Sequence, residues 1–112
     1  MKRIEAVINP HKLDEVKEML TVAGIAGITV SEVRGCGRQG GHSGHFRGVE
    51  YPVDFHPRLQ LVIVAPDFRV DQILTAITKA ARTGNVGDGK IFVTSVDEVV
   101  RIRSGERGER AI

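Results

Sequence analysis

In 112 residues the chain has one cysteine, one tyrosine, four phenylalanines and no tryptophan. With Cys36 alone, no internal disulfide can form, and a reducing compartment fits best. Aromatics at 4% leave few platforms on which bases could stack, which argues against nucleic-acid binding. Neither sign of charge dominates. Sixteen Lys and Arg against fourteen Asp and Glu leave a net +2, which permits acidic or nucleotide partners without demanding nucleic acid. The longest apolar run, Leu61 to Pro66, is far too short to span a bilayer, so no membrane insertion is expected. Met1-Lys2-Arg3 leads straight into strand-like alternation with no apolar signal core behind it, which predicts a cytoplasmic protein. The G-x-S-x-G, H-E-x-x-H and C-x-x-C patterns of common hydrolytic, metal and redox sites are missing as well. The remainder is the composition of one soluble domain over 1–112, large enough for a hydrophobic core without staples.

Glycine, at thirteen residues, is plentiful. The most telling run is Thr83-Gly84-Asn85-Val86-Gly87-Asp88-Gly89-Lys90. Its glycines let backbone N–H groups converge on one point, and Lys90 adds a charge there, which suits phosphate. Gly84 to Lys90 nearly matches the P-loop pattern, but Ile91 stands where the Mg²⁺-binding hydroxyl belongs. The order is reversed too, because this loop (82–90) leaves a predicted helix and enters a predicted strand. The alternative is a glycine C-cap followed by a tight turn.

Periodicity supplies the frame. Ile4, Ala6 and Ile8 mark a strand, and Asn9-Pro10 a helix start. Leu13, Val16, Leu20 and Ala23 share a helical face that stops at Gly24. A second strand covers Ile28 to Arg34, a third Arg58 to Ala65, and a fourth Ile91 to Val96. Asp67 is placed to cap a second helix with Val70, Ile73, Leu74, Ile77 and Ala81 inward. Val99 to Arg103 reads as a short fifth strand, and Ser104 to Ile112 as a mobile tail. The order βαββαβ predicts an α+β, ferredoxin-like fold: an antiparallel sheet with two helices on one face. Leu59, Leu61 and Ile63 face one side of strand three, Val62 and Val64 the other. Two helices cover only one side, so a homo-oligomer with inward-facing sheets is expected. Gly35 to Pro57, with six glycines and two prolines, reads as a long loop of functional kind.

Arg101 and Arg103, two apart on the predicted strand, point the same way and suit phosphate oxygens; a solvated strand edge is the alternative. Arg38 and Gln39 follow Gly35-Cys36-Gly37 at the root of the long loop, a second place for backbone to meet a ligand and for a side-chain oxygen to meet a metal. His42, His45 and His56 near Cys36 form a weak transition-metal pattern, more simply read as loop composition. Arg47-Gly48-Val49-Glu50-Tyr51 begins like an RNA-binding RNP1 segment but lacks its aromatics.

These segments together resemble one family, the PII nitrogen-regulatory signal-transduction proteins, over nearly the whole chain. The matching residues are Gly35-Cys36-Gly37-Arg38-Gln39, the tip Arg47-Gly48-Val49-Glu50-Tyr51 with Val53-Asp54-Phe55, Thr83 to Phe92, and Arg101-Ile102-Arg103-Ser104-Gly105-Glu106. The resemblance implies a non-catalytic homotrimer with ATP or ADP in clefts between subunits. Phosphates would meet Gly87, Asp88, Gly89 and Lys90, with Arg101 and Arg103 reaching in from the neighbouring subunit. Gly37, Arg38 and Gln39 would line the cleft, with Thr29 and Val64 near its base. Gln39 would help ligate Mg²⁺ when 2-oxoglutarate binds beside ATP, with Arg58 and Gly87 at the 2-oxoglutarate. The long loop, about 37–57, would be the effector arm, and Tyr51 matches the position that some relatives have uridylylated. An ammonium channel, a nitrogen-metabolism enzyme or another transporter is the implied partner.

The chain also departs from the family. Gly40 and Arg58 stand where lysines are usual, and Phe46 and Val49 replace a tyrosine and a small residue at the tip. Asn9 and His11 replace a lysine and a phenylalanine. Two rival readings stand beside regulation. One is a slow ATPase in which Asp88 or Gln39 orients water. The other is a metal sensor built on His42, His45 and Cys36.

Overall fold

The computed structural model describes residues 1–36 and 55–112, together with the backbone of 43–46 and 49–52. Strand β1 (Lys2–Ile8) alternates half-buried and buried residues, as its sequence alternation requires. A 3-10 turn over Pro10–Lys12 leads into helix α1 (Leu13–Val22). Pro10 sits in the first turn, where a missing N–H costs nothing. The Asn9 side chain makes no capping bond; its carbonyl accepts from the Lys12 N–H at 3.0 Å. Val16 and Leu20 are fully buried, and Gly24, at φ +81°, ends the helix in the left-handed region.

Strand β2 (Thr29–Gly35) precedes two short strands, β3 (Ser43–Phe46) and β4 (Val49–Pro52), and then β5 (His56–Ala65). The stretch read as one long loop thus carries a separate two-stranded ladder, with Gly44 opposite Tyr51 and Phe46 opposite Val49. Phe46, Val49 and Tyr51 are residues that favour strands, and that preference prevails over the surrounding glycines.

Helix α2 (Val70–Ala81) follows a 3-10 turn over Asp67–Arg69, and β6 (Lys90–Ser95) closes the fold. Asp67 does not cap α2. Pro66 is the N-cap of the 3-10 turn and Arg69 that of α2, while the Asp67 carboxylate lies 2.9 Å from the Met1 amino group. Register explains the choice, since Lys2 pairs with Ala65 and brings the start of β1 beside the start of the helix.

The sheet order is β2-β5-β1-β6, antiparallel throughout, which is the ferredoxin-like arrangement. Its core joins Ile4, Ala6 and Ile8 to Leu59, Leu61, Ile63 and Ala65, under Val16, Leu20, Ile73 and Ile77. Ala76, Ala80 and Ala81 are buried as well, small residues on the inward stripe of α2.

Both helices pack on that one face. On the other face Arg3, Glu5 and Val7 of β1 lie beside Val64, Val62 and Gln60 of β5, all half-buried. This second face is mixed rather than purely apolar. Arg3 donates to Glu5 at 2.8 Å, and the Gln60 amide donates to the other Glu5 oxygen. The bond from Arg3 first, and that from Gln60 second, holds the Glu5 carboxyl below its ordinary range.

Val99 to Arg103 is not a strand. A single bridge pairs Val100 with Arg107, the Arg101 N–H donates to the Glu106 carbonyl at 2.9 Å, and Gly105 reverses the chain at φ +74°. Ser104-Gly105 supplies turn chemistry that overrides the apolar alternation before it. The segment expected to be a mobile tail is tied down. Gly108 donates to the Val99 carbonyl at 2.9 Å and to Glu98 at 3.0 Å, and a 3-10 turn spans Gly108–Ala111.

Candidate functional site

The glycine loop begins where α2 ends. Arg82 turns extended at ψ 131°, and the next residues fold around one carboxylate. Asp88 accepts the Thr83 and Gly84 N–H groups at 2.8 Å each, and the Thr83 hydroxyl on its other oxygen. The Thr83 oxygen in turn accepts the Asn85 N–H at 3.2 Å. The hydroxyl of Thr83 first, and its N–H next, hold the Asp88 carboxyl below the usual carboxylate range. Both of its oxygens take part in ordering the loop.

Gly84, Gly87 and Gly89 all take positive φ, at +89°, +101° and +100°. At Gly89 glycine is compulsory twice over, since an added Cβ would lie 1.8 Å from the Val7 carbonyl oxygen. The loop is therefore pressed onto β1, and Lys90 opens β6 opposite Val7 on the face away from the helices. Its ammonium is exposed and has no partner among the described residues. The loop presents an unneutralised cation beside a glycine-shaped backbone. A cavity of about 410 Å³ borders it, with Asp88, Gly89 and Lys90 at one side and a largely apolar wall that includes Leu74, Ile77 and Ile91.

Lys12 was missed from the sequence. It lies on the turn before α1, pairs with Glu15 at 3.4 Å, and its charge contributes to lowering Asp88. Only the tertiary approach of that turn to the glycine loop could have revealed it.

The remaining residues are not gathered in one chain. Arg58 sits on β5 opposite Val33, at the same end of the sheet as Lys90, and donates to the Pro57 carbonyl at 3.0 Å. Thr29 is on the far edge strand opposite Val62, and Val64 pairs with Arg3 toward the other end. β6 carries the chain about 17 Å away from the glycine loop, to Ser95 opposite Lys2, before the segment with Arg101 and Arg103 begins. No hydrogen bond or ion pair among the described residues joins them to residues 82–90. The strand on which they were expected to point the same way is not formed, and a turn over 102–104 separates them from any such register. Arg101 is half-buried and bonded to Glu106, Arg110 and Ile112. Arg103 is exposed, and its side chain has no partner among the described residues.

Gly37, Arg38 and Gln39 lie outside the described residues, as does His42. His45 and Tyr51 are described by backbone alone. Among the described residues no group of three His, Cys, Asp or Glu side chains is placed to hold a metal, and no helix is long and apolar enough to cross a membrane.

The profile of the family described as Nitrogen regulatory protein P-II matches residues 1–106. The chain belongs to that family. It is 58% identical over 112 residues to the nitrogen regulatory protein P-II of Azospirillum brasilense, covering all of both chains. The corresponding proteins of Mesorhizobium japonicum and Pasteurella multocida are each 56% identical over the same full length. A P-II chain is a nitrogen-regulation signalling protein, and the resemblance drawn from the glycine loop and the 101–106 segment holds for the whole domain.

Proposed function

We propose that this P-II chain senses adenine nucleotides and passes the result to partner proteins in nitrogen metabolism, such as an ammonium channel, an enzyme or another transporter, through its 37–57 loop. ATP or ADP would lie in clefts between three copies in the cytoplasm, with phosphates against Gly87, Gly89 and Lys90. One observation carries the reading: a loop with three positive-φ glycines, its own carboxylate engaged by backbone and Thr83, and a Lys90 at its mouth that has no partner among the described residues. Such a loop is prepared for an anion.

Among the described residues no hydrogen bond or ion pair joins Arg101 or Arg103 to the glycine loop of their own chain, which supports a site shared between copies. The half-covered face with Val62, Val64 and Val7 supports the same homotrimer, with sheets turned inward. Arg38, Gln39 and Gly37 would complete the cleft, with Thr29 and Val64 near its base. Gln39 would bring Mg²⁺ to the phosphates, and 2-oxoglutarate would pair with Arg58 beside Gln39 and Gly87. Tyr51 would be the modified residue of the loop. The engaged Asp88 oxygens favour regulation over hydrolysis, since they face the loop's own N–H groups.

Calorimetry with ATP and ADP tests the reading, with light scattering for the assembly. Submillimolar binding of both nucleotides by a three-chain particle is expected. The absence of heat with either nucleotide at near-millimolar concentration, or a monomer that binds them, overturns it.

A further inference from the structure

Arg101 is not waiting for a ligand. Its Nη1 donates to Glu106 Oε1 at 3.1 Å, and its Nη2 to the carbonyl oxygens of Arg110 and Ile112 at 3.2 and 3.3 Å. Glu106 is itself steadied, because Ser104 Oγ donates to the same Oε1 at 3.0 Å and accepts the Glu106 N–H at 3.3 Å. The backbone closes the ring through Arg101 N–H to Glu106 O at 2.9 Å and Gly105 N–H to Arg101 O at 2.8 Å. Two residues away, Arg103 has none of this.

The arrangement has an electrostatic consequence. A guanidinium grips phosphate with its planar fork of N–H groups, and both terminal nitrogens of this fork already have acceptors. An anion arriving at Nη1 would also come within a few ångströms of the Glu106 carboxylate, and like charges at that distance repel. Phosphate and Glu106 are therefore rivals for one cation.

We propose that the 104–112 segment is an internal latch: Glu106 and the last carbonyls occupy Arg101 until a nucleoside di- or triphosphate displaces them. The inference rests on the reading of Arg101 as a phosphate ligand, and it adds a regulatory step to it. Arg103 would make first contact with the phosphates, and Arg101 would follow as the latch opens. Opening links nucleotide occupancy to the conformation of the chain's last nine residues, a second output separate from the long loop.

The test is calorimetry of ATP and ADP on the full chain, comparing wild type with Glu106→Gln, Arg101→Ala and the double variant. Gln keeps the shape and an acceptor oxygen for Ser104, and removes the charge. Glu106→Gln should bind both nucleotides about two- to fivefold more tightly, the range set by releasing one exposed ion pair. Arg101→Ala should weaken binding and erase the gain from Glu106→Gln in the double variant. If wild type binds and Glu106→Gln binds equally or less well, the latch is wrong while the nucleotide reading stands. If neither binds at near-millimolar nucleotide, the nucleotide reading itself falls and the latch with it. Hydrogen exchange on the unaltered protein gives a check that needs no variant. Saturating ATP should speed exchange at the 110–112 amides, and slower or unchanged exchange would overturn the latch.

Discussion

Two turns of this molecule are built alike and end oppositely. In each a carboxylate lies five residues after a polar partner, Asp88 after Thr83 and Glu106 after Arg101, and glycine makes the bend. Asp88 gives its charge to N–H groups and a hydroxyl, and Lys90 has no partner among the described residues. Glu106 spends its charge on the arginine itself. The first turn leaves a cation for a ligand, and the second withholds one. The type of donor nearest the carboxylate decides which.

The comparison can be broken at four points. The largest effect is expected at Gly89. Gly89→Ala forces a Cβ into the Val7 carbonyl at a left-handed φ, and urea unfolding should show a loss of about 2–4 kcal/mol with the loop detached from β1. A stability equal to wild type would mean that the loop is not seated on β1. Next comes Lys90→Ala, which should weaken ATP and ADP about ten- to hundredfold by calorimetry, the worth of a charge-assisted hydrogen bond, while leaving the melting temperature near wild type. An effect smaller than that of Arg101→Ala would reverse the ranking of the two turns.

The third effect is a pH dependence. Asp88 has a folded pKa below its ordinary 3.8, so its contribution to stability is complete above that value and is lost as pH falls through the lower folded value. Nothing should change between pH 7 and about 5, and below about 4 wild type should lose stability more steeply than Asp88→Asn. Parallel acid curves would show that Asp88 does not order the loop. Tyr51→Phe should have the smallest effect and leave nucleotide affinity unchanged, since Tyr51 stands opposite Gly44 in a ladder separate from the main sheet. An altered affinity would place the tip of the long loop, and not only its root, against the nucleotide.

Much of the fold was legible because burial follows period. Ile4, Ala6 and Ile8, Leu59, Leu61 and Ile63, and the Val16–Leu20 and Ile73–Ile77 stripes are buried as their spacing demands. The same reasoning failed where two local signals competed. Val99 to Arg103 has strand-like residues, but Gly105 and Glu106 turn it back, and Asp67 has capping chemistry but found an amino group brought up by sheet register. Of the site, the glycine loop and its lysine were readable because glycine pattern and charge are local. Neither Lys12 beside the loop nor the occupation of Arg101 was, because each depends on segments brought together by folding.

From the sequence alone came the βαββαβ order of the main sheet and its helices, the core face beneath those helices, the glycine loop with its lysine and, through its motifs, the P-II family. All of these are encoded by periodicity, turn residues and short motifs, which act within a few positions. Tertiary structure alone decided that Gly89 is locked against Val7, that the second sheet face holds an Arg3–Glu5–Gln60 cluster, and that Lys90 is open while Arg101 is held. Antiparallel register is what brings distant residues to hydrogen-bonding distance, and whether a charge is available depends on which neighbour that register delivers.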